Sequence, residues 1–257
     1  MERITVVKIG GNVIENPAAL QRFVADFAAL PGPKILVHGG GKEATRLAET
    51  LGVEVRMVEG RRITDERMLE IATMVYAGAV NKRIVALLQA AGCDAIGLSG
   101  ADANVVQARR RAPEPIDFGF VGDIVGVASE RLRLLLEAGL TPVFSAIMHD
   151  GAGTLLNCNA DSVASAVAVG VSGLGAVDLV YCFEKAGVLR DAEDDASVIA
   201  ELTHADFERL KADGTVSRGM IPKLENALRS VDQGVRSVII KRADCLNDAA
   251  AGTCIHA

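Results

Sequence analysis

Apolar runs of five to seven residues recur along the chain, separated by longer stretches in which apolar positions return every three or four residues. The short runs are "ITVVKI" (4–9), "KILVHG" (34–39), "DAIGLS" (94–99), "TPVFSAI" (141–147), "LVYCF" (179–183) and "SVIIK" (237–241). Their length and their Val and Ile content predict strands. The longer stretches predict helices over 17–29, 42–51, 65–91, 129–138, 160–170, 203–212 and 222–233; in the last, Leu224, Leu228 and Val231 repeat at helical spacing. Strands that are apolar almost throughout, alternating with helices, predict an α/β fold whose mostly parallel sheet is covered on both faces. One segment breaks the pattern. "VVQARRRAPEPIDFGFVGDIVGV" (105–127) is polar and contains Pro, which predicts a β-hairpin excursion with its Arg run in a solvated loop. No long linker, low-complexity tract or repeat interrupts the chain.

At 257 residues the chain has room for one large domain or two small lobes. Half of its residues are hydrophobic, but only 4% are aromatic and Trp is absent, so the core must be built from Val, Ile, Leu and Ala. A net charge of −6 argues against a nucleic-acid or membrane-surface binder and leaves room for a small phosphorylated ligand held by local groups. The cysteines at 93, 158, 182, 245 and 254 are odd in number and never spaced as CxxC, so neither a zinc site nor a disulfide framework is expected. The start, "MERITVVK", has no signal-like region, and no uninterrupted apolar run approaches the ~18 residues of a membrane helix. The expectation is a soluble, cytoplasmic protein with buried free thiols.

Ligands of open parallel sheets bind beyond the carboxyl ends of the strands, and four stretches at strand or helix ends carry candidate chemistry. In the first, Lys8 precedes Gly10-Gly11. Glycines let backbone N–H groups approach an anion and lysine adds a positive charge, although an edge-strand Lys before a routine turn reads equally well. In the second, a strand runs through Gly39-Gly40-Gly41 into a helix, a ready place for a carboxylate or phosphate. It is not a GxxxxGK[ST] loop, since Leu36 and Glu43 break that pattern, and no GxGxxG or G-x-S-x-G accompanies it. In the third, "LLNCNADSVAS", Asn159 suits a helix N-cap and Asp161 the positive helix end; that leaves Asn157 unexplained. In the fourth, "GMIPKLENAL", Pro222 suits a first helical turn, but Lys223 sits where the helix dipole disfavours a cation, which suggests a negative partner. Two lysines and two glycine turns suit phosphoryl transfer, which needs positioning and positive charge more than covalent help. An Asp between the lysines would hold both ammonium groups.

In this order, "KIGGN", "VHGGGKEATRLAETLG", "EGRRIT", "LNCNADSVAS" and "GMIPKLENAL" span essentially the whole chain, and together they resemble the N-acetylglutamate kinases of the amino-acid kinase superfamily. The resemblance implies an open three-layer αβα sandwich forming a single domain over 1–257. Its N-terminal lobe, about 1–158, would bind the acyl-amino acid, and its C-terminal lobe, about 159–257, the nucleotide. It implies transfer of the γ-phosphoryl group of ATP, with Mg2+ held mainly by the nucleotide phosphates, onto the side-chain carboxylate of an N-acyl-L-glutamate on the route to arginine. By position, Lys8 and Lys223 match the lysines that stabilise the transition state, and Asp161 the aspartate that organises them. Gly11 and Gly40 match glycines that touch the transferred phosphoryl group, with Gly10 beside them. Gly40 and Gly41 lie in the substrate loop, Arg62 matches the arginine that grips the α-carboxylate, and Asn157 a substrate-binding asparagine. No side chain need act as a strong base, because the attacking carboxylate is already ionised. Lys185, Lys211 and Gly219 fall near the nucleotide.

"LVYCFEKAGVLRD" (179–191) departs from the resemblance: Phe183-Glu184-Lys185 replace the family's usual residues at a nucleotide-contacting stretch. The arginine-inhibited members carry an extra helix before the first strand. Here the strand begins near residue 3, so a homodimer without arginine inhibition is expected, with helix 65–91 as a dimer element. The acyl group stays open between acetyl, the family default, and a larger group such as succinyl. Two other readings stand beside this one: a sibling kinase of another small acid, and a catalytically silent nucleotide or metabolite sensor on the same fold.

Overall fold

Strands that are apolar on both sides need cover on both sides, and the central strands have it. In a computed structural model, which describes all residues of 1–257 except 59, 192 and 217–219, β1 (Arg3–Ile9) sends Ile4 and Val6 into one hydrophobic core and Val7 and Ile9 into another. That is the period-two alternation of a strand. After the short α1 (Gly11–Glu15), α2 (Pro17–Ala29) opens with the Asn16 side chain accepting from the Ala19 N–H at 3.1 Å and with Pro17 in its first turn. It buries Leu20, Phe23, Val24 and Phe27, one stripe at helical spacing.

β2 (Lys34–His38) is buried at every position and runs into α3 (Gly41–Thr50). A small ribbon follows, β3 (Met57–Val58) with β4 (Arg61–Arg62). The helix expected over 65–91 is observed as α4 (Glu66–Thr73), a π-helical stretch Met74–Val80 and α5 (Asn81–Ala90). Apolar spacing does not register a π-turn, because one wider turn shifts the stripe only slightly. This 25-residue run is long and apolar enough to pass for a membrane span, yet it packs Met68, Ile71, Val80, Ile84 and Leu88 into the core.

β5 (Ala95–Leu98) precedes the expected hairpin, which is present as β6 (Val106–Arg110) and β7 (Gly122–Val127), antiparallel with an irregularity at Gln107/Ala108. After α6 (Ser129–Glu137), β8 (Thr141–Ser145) stops two residues short of the expected strand, and the chain leaves for β9 (Ile147–His149) and β10 (Leu155–Asn157). These two short strands join the hairpin in a second sheet, ordered β10-β9-β6-β7. Next come α7 (Ala160–Val171), β11 (Ala176–Phe183), the edge strand β12 (Glu201–Leu202), α8 (His204–Ala212), α9 (Ile221–Asp232), β13 (Ser237–Arg242) and β14 (Thr253–Ile255).

The main sheet is ordered β12-β14-β13-β11-β1-β2-β8-β5. From β13 to β5 every neighbouring pair is parallel; β13 meets β14 antiparallel. β1 and β11 pair over seven residues, Arg3↔Ala176 to Ile9↔Cys182, so the sheet runs unbroken across position 158. The carboxyl ends of β1, β2 and β11 therefore lie side by side, at Ile9, His38 and Phe183.

Candidate active site

Along that edge the alternation of β1 puts Lys8 on the same face as Ile4 and Val6, in register with Tyr181 of β11. Its ammonium lies 2.7 Å from Oδ1 of Asp161, with the two side chains 10% and 24% exposed. The contact is close but not aligned as a hydrogen bond, so its attraction is chiefly coulombic. Asp161 stands in the first turn of α7, whose cap is Asn159: that side chain accepts from the N–H groups of Asp161 at 2.7 Å and Ser162 at 3.3 Å. Capping alone thus accounts for Asn159, and it fixes where Asp161 points.

Lys223 arrives from the other side, on the first turn of α9 after Pro222. It does not share Asp161 with Lys8, as the sequence leads one to expect. Its ammonium sits 3.9 Å from the centroid of the Phe183 ring, and Lys8 sits 5.2 Å from the same centroid. Phe183 stacks on Tyr181 at 5.8 Å with 15° between planes, and the Tyr181 hydroxyl donates to the Asp161 carbonyl at 3.1 Å. Lys8, Asp161, Tyr181, Phe183 and Lys223 thus form one contiguous cluster. Asp161, Tyr181, Phe183 and Lys223 line a cavity of about 460 Å³ that reaches Asn159 and Arg61.

Two further cavities open from this point. The smaller, about 160 Å³, is lined by Gly41, Arg62, Tyr76, Arg111, Asn157 and Cys158 among others. Arg62 is buried, and its Nη2 donates to the Gly41 carbonyl and the Thr45 hydroxyl, both at 2.8 Å, so the same guanidinium that faces the cavity also pins the start of α3. Asn157 donates to the Thr64 hydroxyl at 3.1 Å. Gly40 admits no larger residue without movement, because a Cβ there would lie 2.6 Å from the Tyr76 ring. Tyr76 comes from the π-helical stretch, and burial raises its phenol above the ordinary value. Beneath the turn, His38 is wholly buried. Its Nδ1–H donates to the Gly39 carbonyl at 2.7 Å and its Nε2 accepts from the Asn81 amide at 3.0 Å. Burial pulls this imidazole down to about 4, so it is neutral near pH 7. Cys158 is no nucleophile, since burial pushes its thiol up to about 12.

The larger cavity, about 710 Å³, is lined by Gly10, Gly11, Lys42, Lys185, Lys223 and Met220 among others. Gly10 and Gly11 are not demanded by their protein neighbours: a Cβ would meet Cys182 O at 3.8 Å or Lys42 Cγ at 3.9 Å, both ordinary contacts. The backbone at this turn is thus open to close approach from the cleft. Lys185 is exposed beside Gly187 at the far end of the cleft. Lys211 is not brought into it; on α8 it pairs with Glu225 of α9 at 2.9 Å. Gly219 lies outside the described residues.

Of the residues singled out in the sequence, Asp161, Lys223, Gly10, Gly11, Gly41, Arg62, Asn157 and Lys185 line cavities that each abut Gly60, while Lys8 and Gly40 stand behind them, against Asp161 and the Tyr76 ring. Tyr76, Arg111 and the His38–Asn81 pair were not singled out: Tyr76 comes from a π-turn and Arg111 from a hairpin that no motif marks, and His38, although it precedes the glycine turn, gives no sign in sequence of its burial against Asn81 of α5. Phe183 was visible as a departure from the family pattern but not as a neighbour of both lysines. The arrangement is a positively charged junction between a chamber with an arginine at its wall and a larger glycine-lined cleft, which suits transfer of a charged group from one to the other.

Comparison with known proteins supports that reading. The model of the amino acid kinase family matches residues 3–242. The acetylglutamate kinase of Bacteroides thetaiotaomicron is 51% identical over 247 residues, covering 96% of each chain, and that of Cytophaga hutchinsonii is 53% identical over 96% of this chain and 94% of that one. A carbamate kinase from Giardia lamblia bound to AMP-PNP superposes with a TM-score of 0.71 at 12% identity, over 100% of this chain and 99% of that one, a likeness of fold alone. The chain belongs to the amino acid kinase family, and the curated relatives it matches at about half identity carry the name acetylglutamate kinase.

Proposed function

We propose that the protein phosphorylates the side-chain carboxylate of an N-acyl-L-glutamate, N-acetyl-L-glutamate first, with ATP, giving an acyl phosphate for arginine biosynthesis. The observation that carries this reading is the meeting of Lys8 and Lys223 on one ring, at the junction of the two chambers. In the reaction a carboxylate oxygen forms a bond to the γ-phosphorus, the bond from that phosphorus to the β,γ-bridging oxygen breaks, and its electron pair leaves with ADP. The nucleophile is already an anion, so no general base is needed. The protein's task is to align the two oxygens and to neutralise the charge spread over the phosphoryl oxygens. The lysine ammonium groups do this, and Asp161 holds Lys8 in place for it. Arg62 is assigned to the α-carboxylate and Asn157 to the amide end of the substrate, while Gly40 and Gly41 let the acceptor lie against backbone.

The 710 Å³ cleft, with Gly10, Gly11, Lys42, Lys185 and Lys223 on its walls, has the size and charge for a triphosphate. Lys211 would reach it only by surrendering Glu225. Mg2+ is assigned to the nucleotide's own phosphates, where it would supply charge neutralisation. The acyl-amino acid belongs to the part before about residue 158 and the nucleotide to the part after it. The run Glu66–Ala90, with Met74 exposed, is assigned as a homodimer element in a cytoplasmic enzyme.

A second reading of the acyl group has its own observation. Arg111 lines the smaller chamber; its Nε and Nη2 bond to Asp123, and among the described residues its buried Nη1 has no hydrogen-bond partner. With Arg61 and Arg62 on the same walls, this chamber has the positive charge to attract a second carboxylate, as in N-succinyl-L-glutamate. ADP release measured against N-acetyl-, N-succinyl- and free glutamate, with aspartate as control, tests both. Acyl-glutamate-dependent release supports the function, preference for the succinyl compound selects the second reading, and release indifferent to all four refutes both.

A further inference from the structure

Phe183 departs from the residues usual at this stretch in the family it resembles, and its ring is in contact with the charge that the proposed reaction uses. It ends β11 one residue beyond the Ile9↔Cys182 pair, so it lies beside the Gly10 turn. Strand alternation puts it on the face of Tyr181, which is 3% exposed and fixed to α7 through the Asp161 carbonyl. Stacking on Tyr181 therefore anchors the Phe183 ring. Above it lies the Lys223 ammonium, at 3.9 Å from the centroid. Among the described residues the ammonium of Lys223 has no ion pair and no hydrogen bond, and its partner there is the ring face. The cation also stands at the positive end of α9, where the helix dipole pushes it away.

We propose that Phe183 is a positioning residue of the transfer site: its ring seats the Lys223 ammonium above the junction until phosphate oxygens displace it. The proposal rests on the kinase reading above. An aromatic face attracts a cation through its quadrupole and carries no net charge. A carboxylate in the same place would bind Lys223 more tightly, compete with the arriving phosphates and repel them. The ring keeps the ammonium near its working position and releases it at small cost. It also accounts for the division of labour seen here, in which Asp161 serves Lys8 alone.

The test combines kinetics with a direct view of the lysine. Phe183→Leu keeps an apolar side chain and removes the π face, and it is expected to lower kcat about tenfold with little change in the KM of the acyl-glutamate. Phe183→Tyr, which keeps the ring, should stay within about threefold of the parent. In a Lys223→Ala background the Leu substitution should cost less than about twofold, because the group it acts through is gone. A Leu variant with full activity, or one that loses as much in the Lys223→Ala background as alone, overturns the proposal; the latter would mark ordinary packing. Carbon-labelled lysine gives a readout independent of turnover. The Lys223 ε-methylene signal, assigned by its loss in Lys223→Arg, should be displaced upfield by the ring in the unmodified protein. It should return to the ordinary lysine position in Phe183→Leu and on adding AMP-PNP with Mg2+. An undisplaced signal in the unmodified protein overturns the seat. If that protein released no ADP with any N-acyl-glutamate, the function would fall while the spectra still decided the seat.

Discussion

Lys8 lies on a strand in the middle of an eight-stranded sheet, is 10% exposed, and has a carboxylate 2.7 Å away. Lys223 lies on the first turn of a helix, is half-buried, and has the face of a phenylalanine 3.9 Å away. The first is held by backbone pairing on both sides and by a full opposite charge. The second stands against its own helix dipole, an effect of about 0.3–1 kcal/mol, and is offset by a cation–π contact of similar size, about 0.5–2 kcal/mol. One half of the junction is therefore fixed before ligands arrive, and the other is balanced so that ligands can complete it. The difference teaches that two groups of one charge and one role need not be positioned by the same physics, and that the weaker positioning sits on the side assigned to the nucleotide.

The sharpest way to break the comparison is to remove each lysine. Lys8→Ala and Lys223→Ala should each lower turnover by about 10²-fold or more, the scale of losing one transition-state donor, while thermal unfolding shows the fold intact. Near-normal turnover in either would contradict its role. Asp161→Asn sharpens it further. Adding Lys8→Ala to that variant should cost much less than it does alone, whereas adding Lys223→Ala should cost nearly its full amount, since of the two lysines it is Lys8 that pairs with Asp161. Equal penalties for the two would mean that Asp161 serves both lysines.

On the substrate side the turn between β2 and α3 stands on a neutral histidine. His38 has its imidazole depressed from 6.5 to about 4 by burial. Between those values the unfolded chain binds a proton that the folded chain does not, so stability is lost as pH falls from about 6.5 toward 4, by roughly 3 kcal/mol at the lower end. Urea unfolding of the parent and of His38→Gln across that window should show the extra loss only in the parent; parallel profiles would remove His38 from the account. Gly40→Ala should cost about 1–3 kcal/mol, because the new methyl group must displace the Tyr76 ring that walls the chamber. Unchanged thermal stability would mean the ring moves freely. The smallest effect is expected for Arg62→Lys, which keeps the charge and loses the fork. The apparent constant for the acyl-glutamate should rise about tenfold with little change in kcat, and an effect confined to ATP would show that Arg62 does not hold the acceptor.

Much of this was legible in residue order. The buried strands announced themselves because both faces are apolar, as in Ile4, Val6, Val7 and Ile9, and Lys8 stood out because it interrupts such a run. Asn159 read correctly as a cap because its reach is local, two and three residues along. The π-turn at Met74–Val80 was illegible, since it changes which side chain meets Gly40 without changing the apolar rhythm. β9 and β10 were missed because three-residue strands have too few positions to show alternation. The division of Asp161 and Phe183 between the lysines depends on contacts across 153 positions (Lys8 to Asp161) and 40 positions (Phe183 to Lys223), and spacing carries no information at that range.

The most direct test of the central claim is chemical. With ATP, Mg2+ and N-acyl-L-glutamate in the presence of hydroxylamine, a γ-acyl phosphate is trapped as its hydroxamate. The account predicts hydroxamate formed in equal amount to ADP, dependent on the acyl-glutamate and lost in Lys8→Ala. ADP released without hydroxamate, or hydroxamate undiminished in Lys8→Ala, would contradict it.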